Sequence, residues 1–284
     1  MKQHHSWLCL ALAVVLPQVQ AAAPHFFAMD TGTIDATHKT PAEQVALTKE
    51  LGFDGIGPRY FGAEQLRAMM TAADAHKLKV DALYVALHLD AAEPLSAEIR
   101  DSIEALRGRD SILWLWLEAK SLKPSDPAGD ARAVAALREI AALAEPAGVK
   151  IALYPHQGVW VERIEDAVRV ARAVDRKNVG VTFNLCHWLK VDGQNLEARL
   201  KEAQPHLFVV TINGADAGGQ NWNTLIQPLG RGTYDVASLL TLLKTIGWNG
   251  PIGLQHFGIK GDAKANLSES MTAWKKMAGQ VWRD

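Results

Sequence analysis

Short apolar runs of strand length alternate with amphipathic stretches of helix length, and the cycle repeats eight times along the chain. The runs are "HFFAMD" near Phe26, "FDGIGPRY" near Phe53, "LKVDALYVAL" near Val80 and "SILWLWLEA" near Ile112. They continue with "VKIALYPH" near Ile151, "VGVTFN" near Val181, "LFVVTIN" near Val209 and "PIGLQHFG" near Ile252. The segments between them carry helix signals. In "TPAEQVALTKELG", Thr40 can cap the start, Pro41 suits the first turn, Glu43 completes a capping box and Gly52 ends the helix. "DARAVAALREIAALAEPAG" repeats the device from Asp130 to Gly148. A strand following each helix requires parallel strands joined by helical crossovers. The expected fold is a closed (β/α)8 TIM barrel forming one domain over residues 24–284. An open doubly wound sheet is the alternative, and the glycine fingerprint that would favour it after the first strand is missing.

Residues 1–23 read as a targeting segment. Lys2 supplies a positive charge, Trp7 to Leu16 an apolar centre too short to span a bilayer, and Ala21 to Ala23 the small residues of a cleavage site. The expectation is a signal peptide and a periplasmic or secreted protein, with no stable membrane insertion after cleavage; an uncleaved anchor is the alternative. Cleavage would leave Cys186 without an intrachain disulfide partner. Thirty basic residues against 31 acidic ones give a net charge of −1, which argues against nucleic acid and for a small, neutral or modestly charged ligand.

Barrels of this kind place their sites at the carboxyl ends of the strands. Those ends carry Asp30, Arg59 with Tyr60, His88, Glu118, Tyr154 with His156, Asn184 with His187, Thr211 with Asn213, and Gln255 with His256. Strand ends meet solvent, so any one of these polar residues is ordinary alone; several converging on one face suggest a pocket. Trp114 and Trp116 alternate with leucines on the fourth strand and therefore share a face, expected to pack outward against helices. Trp160, Trp188 and Trp222 follow strands, where an aromatic plate can stack on a sugar ring or pack in a core. The long polar segment Asn213 to Gly232 suits a loop that closes over a ligand, with Arg231 expected to be solvated and Cys186 a small buried hydrophobe.

The strings "ELGFDGI", "AGVKIALYPH", "NVGVTFNLCHWL" and "GWNGPIGLQHFG" resemble the xylose isomerase-like TIM barrels, over roughly Phe26 to Ala278. "LYPH", "FNLCHWL", "VTINGAD" and "GLQ" resemble an exported bacterial subgroup described as sugar phosphate isomerase/epimerase-like. The resemblance implies a metal site of a fifth-strand Glu, a sixth-strand Asp with a His three residues on, a seventh-strand His and an eighth-strand Glu. Tyr154, Asn184, Thr211 and Gln255 stand at these positions instead, and His187 keeps its type, as does a neighbouring histidine, His156. With the carboxylates gone, a divalent ion such as zinc, manganese or cobalt has a weak site at His156 and His187. The implied activity is an isomerase or epimerase acting on a sugar or keto-sugar through proton removal beside a carbonyl. His156, His187 and Glu118 are the candidate catalytic residues, and Arg59, Tyr154, Asn184, Asn213, Gln255 and His256 the candidate substrate contacts. A keto-sugar lyase or hydratase, or a carbohydrate-binding barrel without catalysis, are the alternatives.

Overall fold

The computed structural model describes residues 22–283, so nearly all of the targeting segment lies outside the described residues. The strands are β1 (Phe26–Met29), β2 (Gly55–Gly57), β3 in two pieces (Lys79–Val80 and Ala82–His88), β4 (Ile112–Glu118), β5 (Lys150–Leu153), β6 (Val179–Asn184), β7 (Leu207–Ile212) and β8 (Ile252–Leu254). Every neighbouring pair is parallel. The two sheet edges are the two pieces of β3. Asp81 joins them: its N–H donates to Ile56 and its carbonyl accepts from Ile112, both at 2.9 Å, so the sheet closes on itself as a barrel.

The expected capping box at Thr40 is present and starts α1 (Pro41–Glu50). The other principal crossover helices are α2 (Ala63–His76), α3 (Ala97–Leu106), α4 (Asp130–Ala144), α5 (Ile164–Val174), α6 (Leu185–Val191) with α7 (Leu196–Ala203), a short α8 (Trp222–Leu225) before α9 (Val236–Thr245), and the closing α10 (Ala263–Val281). Among the described residues no helix is long and apolar enough to cross a membrane.

Strand alternation sorts side chains into two cores. Leu83, Val85, Leu87, Leu113, Leu115 and Leu117 pack outward against the helices. Phe27, Met29, Tyr84, Trp114, Tyr154 and Val209 fill the barrel, with Trp116 above them. The outward packing expected of Trp114 and Trp116 is therefore corrected: both indoles belong to the barrel interior. The reason is room. Ala82 and Ala152 present almost no side chain there, and a Cβ at Gly57 or Gly253 would stand 2.8 or 2.5 Å from the Phe27 ring. Gly253→Ala should overpack this floor and destabilise the fold by about 1–3 kcal/mol, read as a lowered urea midpoint at unchanged slope.

Candidate functional site

The mouth of the barrel opens into a cavity of about 260 Å³ whose walls include Arg59, Tyr84, Trp116, Tyr154, His156, His187, Trp222 and Gln255. Tyr84 and Trp116 rise from the interior faces of β3 and β4, and Tyr154 and His156 follow β5. Asn184 ends β6, and its Oδ1 caps α6 by accepting the His187 N–H at 3.1 Å. That cap turns the chain so that His187 faces His156, with ring centroids 4.0 Å apart. Trp222, delivered by α8, closes the same wall 5.3 Å from His187. Its loop is anchored by reciprocal Gly214–Gln227 backbone bonds and by Asn213 Nδ2, which donates to the carbonyls of Gly214 and Leu225 at 2.7 Å.

Backbone partners fix the proton positions on both imidazoles. His156 Nδ1 lies 3.0 Å from the Gln157 carbonyl, which only accepts, so the ring proton sits on Nδ1 and Nε2 is the basic nitrogen. His187 Nδ1 accepts the Gln157 N–H at 3.3 Å, so its proton sits on Nε2. Burial pushes the pKa of both rings below the usual histidine range; the charge of Glu118 opposes the effect at His156, and His156 adds to it at His187. Two neutral imidazoles side by side thus have opposite capabilities, one a base and the other a donor.

The two phenols are polarised in a comparable way. Tyr154 Oη accepts from Asn184 Nδ2 at 2.9 Å and from Gln255 Nε2 at 3.5 Å. Neither amide can turn over. Asn184 Oδ1 also takes the Cys186 thiol at 3.0 Å, and Gln255 Oε1 takes Thr31 Oγ1 and the Phe257 N–H, each at 3.1 Å. With its acceptor sites supplied, Tyr154 has its O–H left to donate, and burial pushes its pKa well up so that the proton stays on. Tyr84 instead gives its proton to Asp30 Oδ1 at 2.5 Å, leaving the phenol oxygen as an acceptor. Asp30 is itself buried, and its other oxygen takes the Arg59 backbone N–H at 2.8 Å.

Of the residues singled out by sequence, Arg59, Tyr154, His156, His187 and Gln255 meet at the cavity, and Asn184 supports it from behind. Glu118 stands beside it, accepting from Trp116 Nε1 at 2.7 Å and facing His88 Nδ1 at 3.1 Å. Asn213 is buried in its loop. His256 turns away, since Gln255 faces inward: Gly32 leaves space for its ring, and Nε2 lies 2.8 Å from Ser270 Oγ on α10. Arg231 pairs with Glu269 at 2.6 Å, and Cys186 is fully buried, its thiol pKa pushed up by burial. Tyr84 and Gln157 escaped sequence reasoning. The signal for Tyr84 was a lone aromatic at an inward position between Ala82 and Ala86.

His256 has a consequence for stability. Burial depresses its pKa to about 4, whereas an unfolded histidine titrates near about 6.5. A depressed folded value means its contribution is complete above the unfolded pKa and is withdrawn as pH falls from about 6.5 to about 4. The denaturation midpoint should drop across that window, and His256→Gln should flatten part of the drop.

A divalent cation finds few donors here. Among the described residues no group of three or more His, Cys, Asp or Glu side chains is placed to hold a metal ion. The Asn184 and Gln255 oxygens are already occupied, Tyr154 keeps its proton, and His187 presents an N–H. His156 Nε2 is left as a single neutral donor, because the neighbouring carboxylate of Glu118 already accepts from Trp116 Nε1 and faces His88. These side chains do not fit a resident divalent metal.

An inosose isomerase of Bacillus velezensis is 31% identical to this chain over 126 residues, 43% of this chain and 44% of the relative. The chain thus spans under half the length of that curated relative. Among solved structures, the IOLI protein with a bound zinc atom superposes with a TM-score of 0.76 at 21% identity, covering 90% of this chain and 99% of its own. The 3-keto-D-glucoside 4-epimerase YcjR of E. coli gives 0.72 at 17% identity, covering 89% and 99%. Likeness at such identities speaks to fold alone. The family model for xylose isomerase-like TIM barrels, however, matches residues 45–277, a span that holds β2 to β8 and both cavity histidines, and the chain belongs to that family.

Proposed function

We propose that the protein is a sugar isomerase/epimerase-like enzyme that removes a proton beside the carbonyl of a keto-sugar, using its own side chains. His156 Nε2 takes the proton from carbon, and the electron pair moves onto the carbonyl oxygen. Tyr154 O–H and His187 Nε2–H donate to that oxygen as its charge develops. The Tyr84 oxygen accepts from a substrate hydroxyl, so the two phenols distinguish the carbonyl from the hydroxyl of an α-hydroxy ketone. Protonated His156 then returns the proton to the neighbouring carbon, while the hydroxyl proton passes to the former carbonyl oxygen. Trp116 and Trp222 supply the apolar walls a sugar ring packs against.

The observation that carries this reading is the pairing of a bare imidazole nitrogen with a phenol O–H whose acceptor sites are already supplied, in one cavity. The cavity presents one basic nitrogen, which supports proton transfer on a single face of the sugar, as in isomerisation, over two-base epimerisation. The order of charged, apolar and small residues in 1–23 supports a substrate met outside the cytoplasm. Incubation with a panel of keto-sugars in deuterium oxide, read by NMR, tests the proposal. One sugar should gain deuterium at the carbon next to its carbonyl; a panel in which sugars bind and none exchanges would contradict it.

A further inference from the structure

A second cavity of about 250 Å³ lies between the β1 and β2 ends and the starts of α1 and α2, and Arg59 is a wall of both cavities. Its guanidinium stands 5.0 Å from the centroid of Trp116 in the first cavity and 5.4 Å from Phe61 in the second. One side chain is thus the shared partition. The Arg59 backbone N–H is taken by Asp30, whose charge its guanidinium also feels, while the guanidinium itself lies over the Phe61 and Trp116 rings with its N–H donors at the junction. Four large apolar residues are the exposed ones among those described, and three of them rim the two cavities: Ile34 at 48%, Phe61 at 57% and Phe257 at 60% exposure. Apolar exposure gathered at one mouth marks a ligand-binding surface. Lys39 and Gln65 bring hydrogen-bonding groups to the second cavity beside Ile34 and Phe61. Apolar faces set against a few polar side chains is the combination a sugar ring requires. Each cavity falls below the roughly 300 Å³ at which pockets begin to hold drug-sized ligands, so each suits a single ring.

We propose that the substrate is a two-ring glycoside. The reacting keto ring occupies the His156 cavity, the second sugar ring occupies the neighbouring one, and Arg59 donates to oxygens at the junction. The inference rests on the carbohydrate reading above and extends it from one sugar to a linked pair.

Calorimetric titration of the full chain with fructose and with the keto-disaccharides lactulose, turanose and isomaltulose tests it by affinity. At least one disaccharide should bind about tenfold tighter than fructose or better, a difference of about 1.4 kcal/mol. Ile34→Trp and Gln65→Trp, both at exposed positions that can fill the second cavity, should abolish that gain and leave fructose affinity unchanged. Disaccharides that bind no better than fructose, an absence of binding by any of them, or a gain that survives both substitutions would overturn the proposal. Deuterium exchange is read separately. A disaccharide preference without exchange would count against the enzymatic reading alone, and exchange without a disaccharide preference would count against the two-ring substrate alone.

Discussion

Replacing His156 by glutamine should lower deuterium exchange into the substrate by about 10²- to 10⁴-fold, the usual contribution of a positioned general base. Glutamine keeps a polar side chain of related reach but has no basic nitrogen. Substrate affinity should therefore change far less than turnover, because contacts to Trp116, Trp222 and Tyr154 remain. The pH profile gives an independent reading. The base works only when neutral, and burial holds its pKa below the ordinary histidine value. The rate should accordingly be flat through neutral pH, and its acid limb should lie below about 6.5. Because the Glu118 charge pulls the His156 pKa upward, Glu118→Gln should move that limb further to the acid side without removing activity. A limb that stays in place would show that Glu118 does not act through His156.

Tyr154→Phe is the second large effect, expected to lower turnover by about 10²- to 10³-fold, as loss of one oxyanion donor does. The phenol matters because of what feeds it. Asn184 Nδ2 and Gln255 Nε2 occupy its acceptor sites, and the oxygens of both amides are held by other donors. The substitution removes the O–H and leaves those amide donors buried without an acceptor, which should also destabilise the fold by about 1–3 kcal/mol. Kinetics and denaturation measured on one sample separate the two costs. A variant that is less stable but fully active would place Tyr154 in the scaffold rather than the chemistry.

Much of the barrel is legible in the chain because parallel strands covered on both faces must be apolar throughout and must be separated by helices. All eight apolar runs contain or adjoin a barrel strand, and the Thr40 capping box forms as its residues imply. Orientation is harder to read. Alternation assigns Trp114 and Trp116 to one face but cannot say which, because the deciding space is made by Ala82, Ala152 and Gly253 on other strands. The same difficulty divides the candidate site. His156 and His187 each lie three residues past a strand end and meet, whereas His256 lies two past its strand end, next to the inward-facing Gln255, and packs on α10. Tyr84 and Asp30 are 54 residues apart in the chain, and nothing local announces their hydrogen bond. Least legible is hydrogen-bond polarity. The donor role of Tyr154 depends on which way two amides point, and those directions are set by Cys186, Thr31 and the Phe257 backbone.

The replacement of the carboxylates that the family resemblance implies follows the same physics. Tyr154, Asn184 and Gln255 stand where anionic ligands are expected, and here they bond to one another. An amide-supported phenol can stabilise a developing enolate by hydrogen bonding without a cation to neutralise. Deuterium exchange measured before and after exhaustive treatment with a strong chelator tests this most directly. The rate should be the same in both samples; a rate abolished by chelation and restored by added zinc would overturn catalysis by side chains alone.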